Sequence, residues 1–220
     1  MSNVLQQAFQ RLHDNYGPQH WWPGNGPLEV AVGAILTQNT NWKNVEKALE
    51  NLRDADALHI HELHNLSHDE LADLIRPAGY YRVKARRLKN LVAVIVEEFD
   101  GLLASLFRLG KHDLRQTLLA VNGIGPETAD SIALYAAELP VFVVDTYTAR
   151  VVKRHGWIDS EAGYHELQER FHDELDEDVM LYNEYHALLV RVGKEHCGTR
   201  PSCDGCPLAD MLPEGGPLET

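Results

Sequence analysis

Long apolar runs are missing. No stretch of the 220 residues approaches the roughly 18 that a membrane-spanning helix requires, and the opening MSNVLQQAFQRLHDNYG has no basic segment followed by an apolar one. A cytoplasmic protein with no membrane partner is expected. Cysteine is scarce: three residues, an odd number, all within positions 197–206. That argues against a disulfide framework and for a metal or cluster loop. Strand signals are scarce too, since only Val141 to Val144 reads as an extended apolar run. A basic excess is also lacking. Twenty Lys and Arg face 33 Asp and Glu, a formal charge of −13, which taken alone argues against nucleic acid as a partner.

The charge is segregated, however. Residues 157–180 hold nine acids against the single base Arg170, whereas GYYRVKARRLK, residues 79–89, carries Arg82, Lys84, Arg86, Arg87 and Lys89 with no acid. An acidic solvated helix face explains the first run. The second is either a solvated face or a set of phosphate contacts, with Arg82, Arg86 and Lys89 as the candidates.

Apolar residues recur at helical spacing nearly throughout, as in Val4, Leu5, Phe9 and Leu12, or Leu88, Leu91, Val92, Ile95 and Val96. Ser67 before Asp69-Glu70 and Pro126 at a first helical turn mark helix starts. An all-α protein of about ten short helices follows, with no internal repeat and no low-complexity segment. Length allows one large domain or two interlocked ones.

Chemistry concentrates in two stretches. In LLAVNGIGPETADSIALYA, Gly123-Ile124-Gly125 joins two amphipathic helices; such glycines permit positive φ and open the backbone N–H groups of the turn and of the following helix start to an anion. An ordinary helical hairpin is the plainer reading. In VFVVDTYTARVVKRHG, four apolar residues deliver Asp145 to a helix start, where it serves as an N-cap, as a carboxylate that stabilises an oxocarbenium-like sugar or activates water, or as both.

Together GIGPETAD and VVDTYTARV resemble the helix-hairpin-helix DNA glycosylases, the superfamily of endonuclease III. The resemblance implies a two-domain all-α fold with the active site in the cleft between domains. It puts residues 27–136 in a helical-barrel domain holding the hairpin, and 1–26 with 137–220 in a second domain carrying the catalytic Asp145 and a C-terminal cysteine loop. AVGAILTQNTNW, residues 31–42, is similar to the family's helix ending in a Gln that fills the gap left by a flipped base, which falls at Gln38; Gly123, Ile124, Gly125 and Thr128 are the implied DNA contacts.

Two departures shape the expected reaction. Endonuclease III has a Lys two residues past the second hairpin glycine, where this chain has Glu127. A carboxylate cannot form a Schiff base, so a monofunctional glycosylase using water is expected. The other candidate, Lys153, lies about two helical turns past Asp145, roughly 12 Å along the axis. WWPGNGPLEVAVGAILTQNTNW with the Glu of GIGPETAD is similar to the 3-methyladenine DNA glycosylase III branch, which implies a base pocket from Trp21, Trp22, Pro23, Trp42, Glu127 and Lys194. Aromatic faces suit a cationic alkylated purine.

The loop Cys197-x5-Cys203-x2-Cys206 resembles the [4Fe-4S] loop of endonuclease III, spaced x6, x2 and x5, with Leu212 at the fourth place. A cluster on three thiolates, a zinc with His196 as Cys3His, or no metal remain open. The resulting expectation is a monomeric, nucleoid-associated base-excision repair glycosylase acting on double-stranded DNA with a damaged base. The alternatives are an endonuclease III-like glycosylase and lyase for oxidised pyrimidines or mismatches, and a non-catalytic DNA-binding module.

Overall fold

The computed structural model describes residues 3–21 and 24–219. In chain order its α-helices are α1 (Val4–Tyr16), α2 (Pro27–Leu36), α3 (Trp42–Asp54), α4 (Ile60–Asn65), α5 (His68–Leu74), α6 (Tyr81–Glu98), α7 (Leu103–Phe107), α8 (Lys111–Ala120), α9 (Pro126–Ser131), α10 (Thr146–Arg154), α11 (Tyr164–Glu174) and α12 (Val179–Glu195). The all-α expectation holds, with twelve α-helices among the described residues where about ten were expected, because short turns such as α4 and α7 carry too few residues to show a period. No described helix is long and apolar enough to cross a membrane.

Two compact units divide the chain: residues 1–22 with 140–220, and residues 23–139. The second unit is built on α2, whose residues from Glu29 to Leu36 are all buried. Its one buried acid is paired, with both Glu29 oxygens 2.9 Å from Arg53 Nη1. Capping sets the helix starts: Ser67 and Glu70 form a reciprocal capping box at α5. The two helices of the hairpin, α8 and α9, are tied by Arg115, whose Nε and Nη2 donate to the fully buried Asp130 at 2.7 and 3.3 Å. Removing one member of such a buried pair leaves a bare charge and costs about 3–5 kcal/mol. Past Ser131 the helix widens into a π turn over Ile132–Ala136.

In the first unit, α10 packs on α12 and α1 on α12 and α11. Phe142 stacks on Phe171 at 3.9 Å and meets Tyr182 and Tyr185 edge-on, and the Tyr185 hydroxyl donates to the Leu5 carbonyl. Residues Val141 to Val144 are buried but irregular, joining no described strand. Side chains of α11 take their backbone groups instead: Phe142 N–H donates to His172 Nε2 at 2.9 Å, and Gln168 Nε2 donates to Phe142 O at 2.7 Å. Buried backbone polar groups must be satisfied somewhere, and here a helix face does what a neighbouring strand would do.

Candidate active site

The site residues fall into two sets, one in each unit. In the first unit Asp145 is the N-cap of α10, with Oδ1 accepting from Thr148 N–H at 2.7 Å. Its Oδ2 lies 3.8 Å from His186 Nε2 on α12. His186 is buried, and the Trp21 ring meets it edge-on at 6.3 Å. Burial pushes the His186 imidazole down from its usual range, Asp145 pulls it up and Lys194 pushes it down again, with burial the largest effect. Lys194 is exposed and its ammonium stands 5.8 Å from the ring centres of both Trp21 and Tyr147. Gly193 makes this possible, because a Cβ there would come within 2.7 Å of Tyr147 Cβ. Trp22 and Pro23, also expected in the pocket, lie outside the described residues.

The second unit holds the hairpin. Gly123 has φ +98°, and a Cβ there would collide with the Arg87 side chain, so this position requires glycine twice over. Gly125 differs from expectation: at φ −96° it is extended and caps α9 without a left-handed turn. Ile124 is buried and its N–H donates to Val121 O, so it anchors the turn from within. Pro126, the first residue of α9, has no N–H to leave unmade at the helix start.

Gln38 is held against this hairpin. Its Nε2 donates to Thr128 Oγ1 at 2.9 Å and to Gly123 O at 3.3 Å, and its Oε1 accepts from Arg87 Nη1. Thr128, expected as a DNA contact, is buried and engaged by Gln38. Glu127 is exposed in the first turn of α9, where an acid suits the helix dipole. Trp42, half-buried at the start of α3, donates to Glu46 at 2.9 Å.

The basic run is divided by helical phase. Lys84, 1% exposed, donates to Leu36 O and Ala78 O, and its pKa is pushed down to about 8, chiefly by burial and then by Arg87. Lys89, expected at phosphate, places its ammonium on the carbonyls of Leu63, His64 and Leu66 at the end of α4, which uses all three of its donors. Arg82 is exposed and paired with Asp69 at 3.1 Å, and Arg86 is exposed.

Cys197, Cys203 and Cys206 line one small pocket with His196 and Leu212. Among the described residues no three His, Cys, Asp or Glu are grouped to hold a metal ion. A cluster spreads its ligands over separate irons; the three cysteines share this lining, and Leu212, at the fourth place, offers no donor. The buried Arg154 donates to Cys197 Sγ at 3.3 Å and to the Gly198 and Thr199 carbonyls, a cation placed to balance a thiolate. Neighbouring sulfurs and burial, burial foremost, push the Cys206 thiol up.

Residues 32–177 match the model of the HhH-GPD superfamily of base excision DNA repair proteins. A protein of Methanocaldococcus jannaschii provisionally named a DNA repair glycosylase is 46% identical over 210 residues, 94% of this chain and 95% of its own. The endonuclease III of Thermotoga maritima is 29% identical over 181 residues, 82% of this chain and 79% of its own. Among solved structures, H. pylori 3-methyladenine DNA glycosylase bound to 1,N6-ethenoadenine superposes with a TM-score of 0.74 at 30% identity, covering 87% of this chain and 96% of that one. A trapped endonuclease III–DNA covalent intermediate gives a TM-score of 0.82 at 23% identity over 97% of each chain, a likeness of fold. The chain belongs to the HhH-GPD superfamily of base excision DNA repair proteins and is an enzyme of the DNA N-glycosylase class.

Three residues beside the expected ones were not singled out by sequence: Arg87, Tyr147 and His186. Arg87 lay in the basic run but nothing local distinguished it, and Tyr147 sits inside the VVDTYT stretch that drew attention only to Asp145. His186 stands 41 positions from Asp145 on an apolar helix face, where a core histidine is the ordinary reading.

Proposed function

We propose that this glycosylase excises alkylated purines, 3-methyladenine-like cationic bases first, from double-stranded DNA, and that it does so as a monofunctional hydrolase. The observation that carries the reading is the pair of aromatic faces, Trp21 and Tyr147, that hold the Lys194 ammonium in the same unit as Asp145. Rings that attract one cation suit another, and an exposed lysine on a flexible stem can yield its place to a flipped base. The 30% identity to a 3-methyladenine DNA glycosylase supports the same substrate class.

In this mechanism Asp145 stabilises positive charge developing on the sugar as the N-glycosidic bond breaks. The bonding electrons leave with the base, which departs neutral if it began as a cation. Water adds to C1′, and its proton passes to the carboxylate and then to solvent. Glu127 in place of an amine leaves no imine route at that position, so the abasic product is not cleaved. Gln38, Gly123, Gly125 and Arg86 are the proposed DNA contacts, with Arg82 available if it releases Asp69; the protein acts as a nucleoid-associated monomer.

Cys197, Cys203 and Cys206 would hold an iron–sulfur cluster through three thiolates, with Arg154 offsetting their charge. When bound, such a cluster cross-links the loop, and the base-release chemistry belongs to the residues above.

The test is chromatographic resolution of bases released from methylated DNA. Free 3-methyladenine with an intact abasic strand is expected. Release of oxidised pyrimidines without alkylpurines would overturn the substrate assignment in favour of endonuclease III-like activity.

A further inference from the structure

The environment of Asp145 contains one more ionisable group that no role above uses. His186 is buried on α12 with its Nε2 3.8 Å from Asp145 Oδ2, while the other carboxylate oxygen is committed to the Thr148 N–H at 2.7 Å. At 3.8 Å the two are beyond a direct hydrogen bond but within the span that a small shift or one bridging water closes. The edge of Trp21 closes the imidazole in from the segment after α1. Two charged groups act on it, Asp145 from the start of α10 and Lys194 from farther along its own helix.

We infer that His186 is a positioning residue for the catalytic carboxylate: neutral, it leaves Asp145 its full negative charge for the sugar, and protonated, it pairs with Oδ2 and withdraws that charge. The inference rests on the reading of Asp145 as the catalytic group. Burial and Lys194 both oppose protonation, so the imidazole is neutral at pH 7 and the carboxylate is uncompensated there. As pH falls the imidazole takes a proton from solvent, becomes an ion-pair partner for Oδ2, and competes with the oxocarbenium-like sugar for the same negative charge. No bond forms between His186 and substrate; the proton comes from solvent and returns to it. Burial keeps His186 from serving as a DNA contact, so substrate affinity is separable from rate.

The experiment compares wild type with His186→Gln, which keeps size and hydrogen bonding but does not titrate. Single-turnover base release is measured from pH 5 to 8 alongside DNA binding. In wild type the rate should fall about tenfold per pH unit below one midpoint. In His186→Gln that limb should vanish, with binding within about twofold of wild type. An unchanged acid limb in the variant would overturn the inference. A second readout needs no substrate: the imidazole titration of His186 followed by NMR in wild type and in Asp145→Asn. Loss of the carboxylate should lower the His186 midpoint, since Asp145 favours the charged ring. A midpoint indifferent to Asp145→Asn refutes the coupling even if His186→Gln fails to fold. The failure of the glycosylase reading would look different, as an absence of base release at every pH.

Discussion

In the proposed mechanism Asp145 does two things, and its two oxygens let them be separated. Oδ1 accepts from Thr148 N–H at 2.7 Å and caps α10, while Oδ2 faces His186. Asparagine is among the best N-caps, so Asp145→Asn should leave the cap in place and change stability by a few tenths of a kcal/mol, whereas Asp145→Ala removes it and costs about 1 kcal/mol. For a chain of 220 residues that cost is a Tm difference of roughly 2–4 °C between the two variants. Base release should behave differently, because neither an amide nor a methyl group can carry the negative charge that the sugar requires. Both variants should lose about 10²-fold or more in single-turnover rate, equivalent to at least roughly 2.7 kcal/mol of barrier. DNA binding should remain near wild type in Asp145→Asn. The assay pairs thermal unfolding with base release from methylated DNA. An Asp145→Asn protein that turns over like wild type would refute the catalytic assignment, and one that melts as low as Asp145→Ala would refute the separation of roles.

Three further expectations concern the rest of the molecule. DNA affinity should weaken with salt, and Arg86→Ala should reduce the logarithmic slope by about 0.9; Lys89→Ala should leave the slope alone and instead lower the melting temperature, since it frees three carbonyls at the end of α4. Borohydride should trap no covalent complex with wild type, and the strand should break only after alkali; efficient trapping would show that an amine reaches the sugar despite Glu127. Lys84 has its pKa lowered to about 8 in the folded chain, so between there and its ordinary 10.5 the unfolded chain holds the extra proton and stability rises with pH. The gain attributable to Lys84 is on the order of 3 kcal/mol, read as the difference in pH slope between wild type and Lys84→Met in denaturant titrations, and equal slopes would refute it.

Much of this enzyme was legible because local rules and tertiary structure agree. Apolar spacing marks the helices, Ser67 with Glu70 marks the start of α5, and an acid ending the run Val141 to Val144 marks Asp145. What escaped is long-range. Nothing near Phe142 signals that Gln168 and His172, on a helix more than 25 positions later, take its backbone groups in place of a strand. Nothing near His186 signals a carboxylate 41 positions earlier.

The basic run is a different kind of miss, because its answer was present in the helical phase. Positions 84, 85, 88, 91, 92 and 95 form the buried face of α6, and Lys84 falls in it; counting charge without phase hides this. Of five cations only Arg82 and Arg86 are exposed, and Arg82 is already paired with Asp69. A chain of net charge −13 therefore has few side chains on that helix to spend on phosphate. On the proposed reading its grip on DNA depends more on the backbone N–H groups around Gly123 and Gly125, which carry no formal charge, than on counterion release. The expected outcome is a salt slope that is measurable but shallow, set by the one or two exposed arginines of α6 and not by the five cations that the sequence displays.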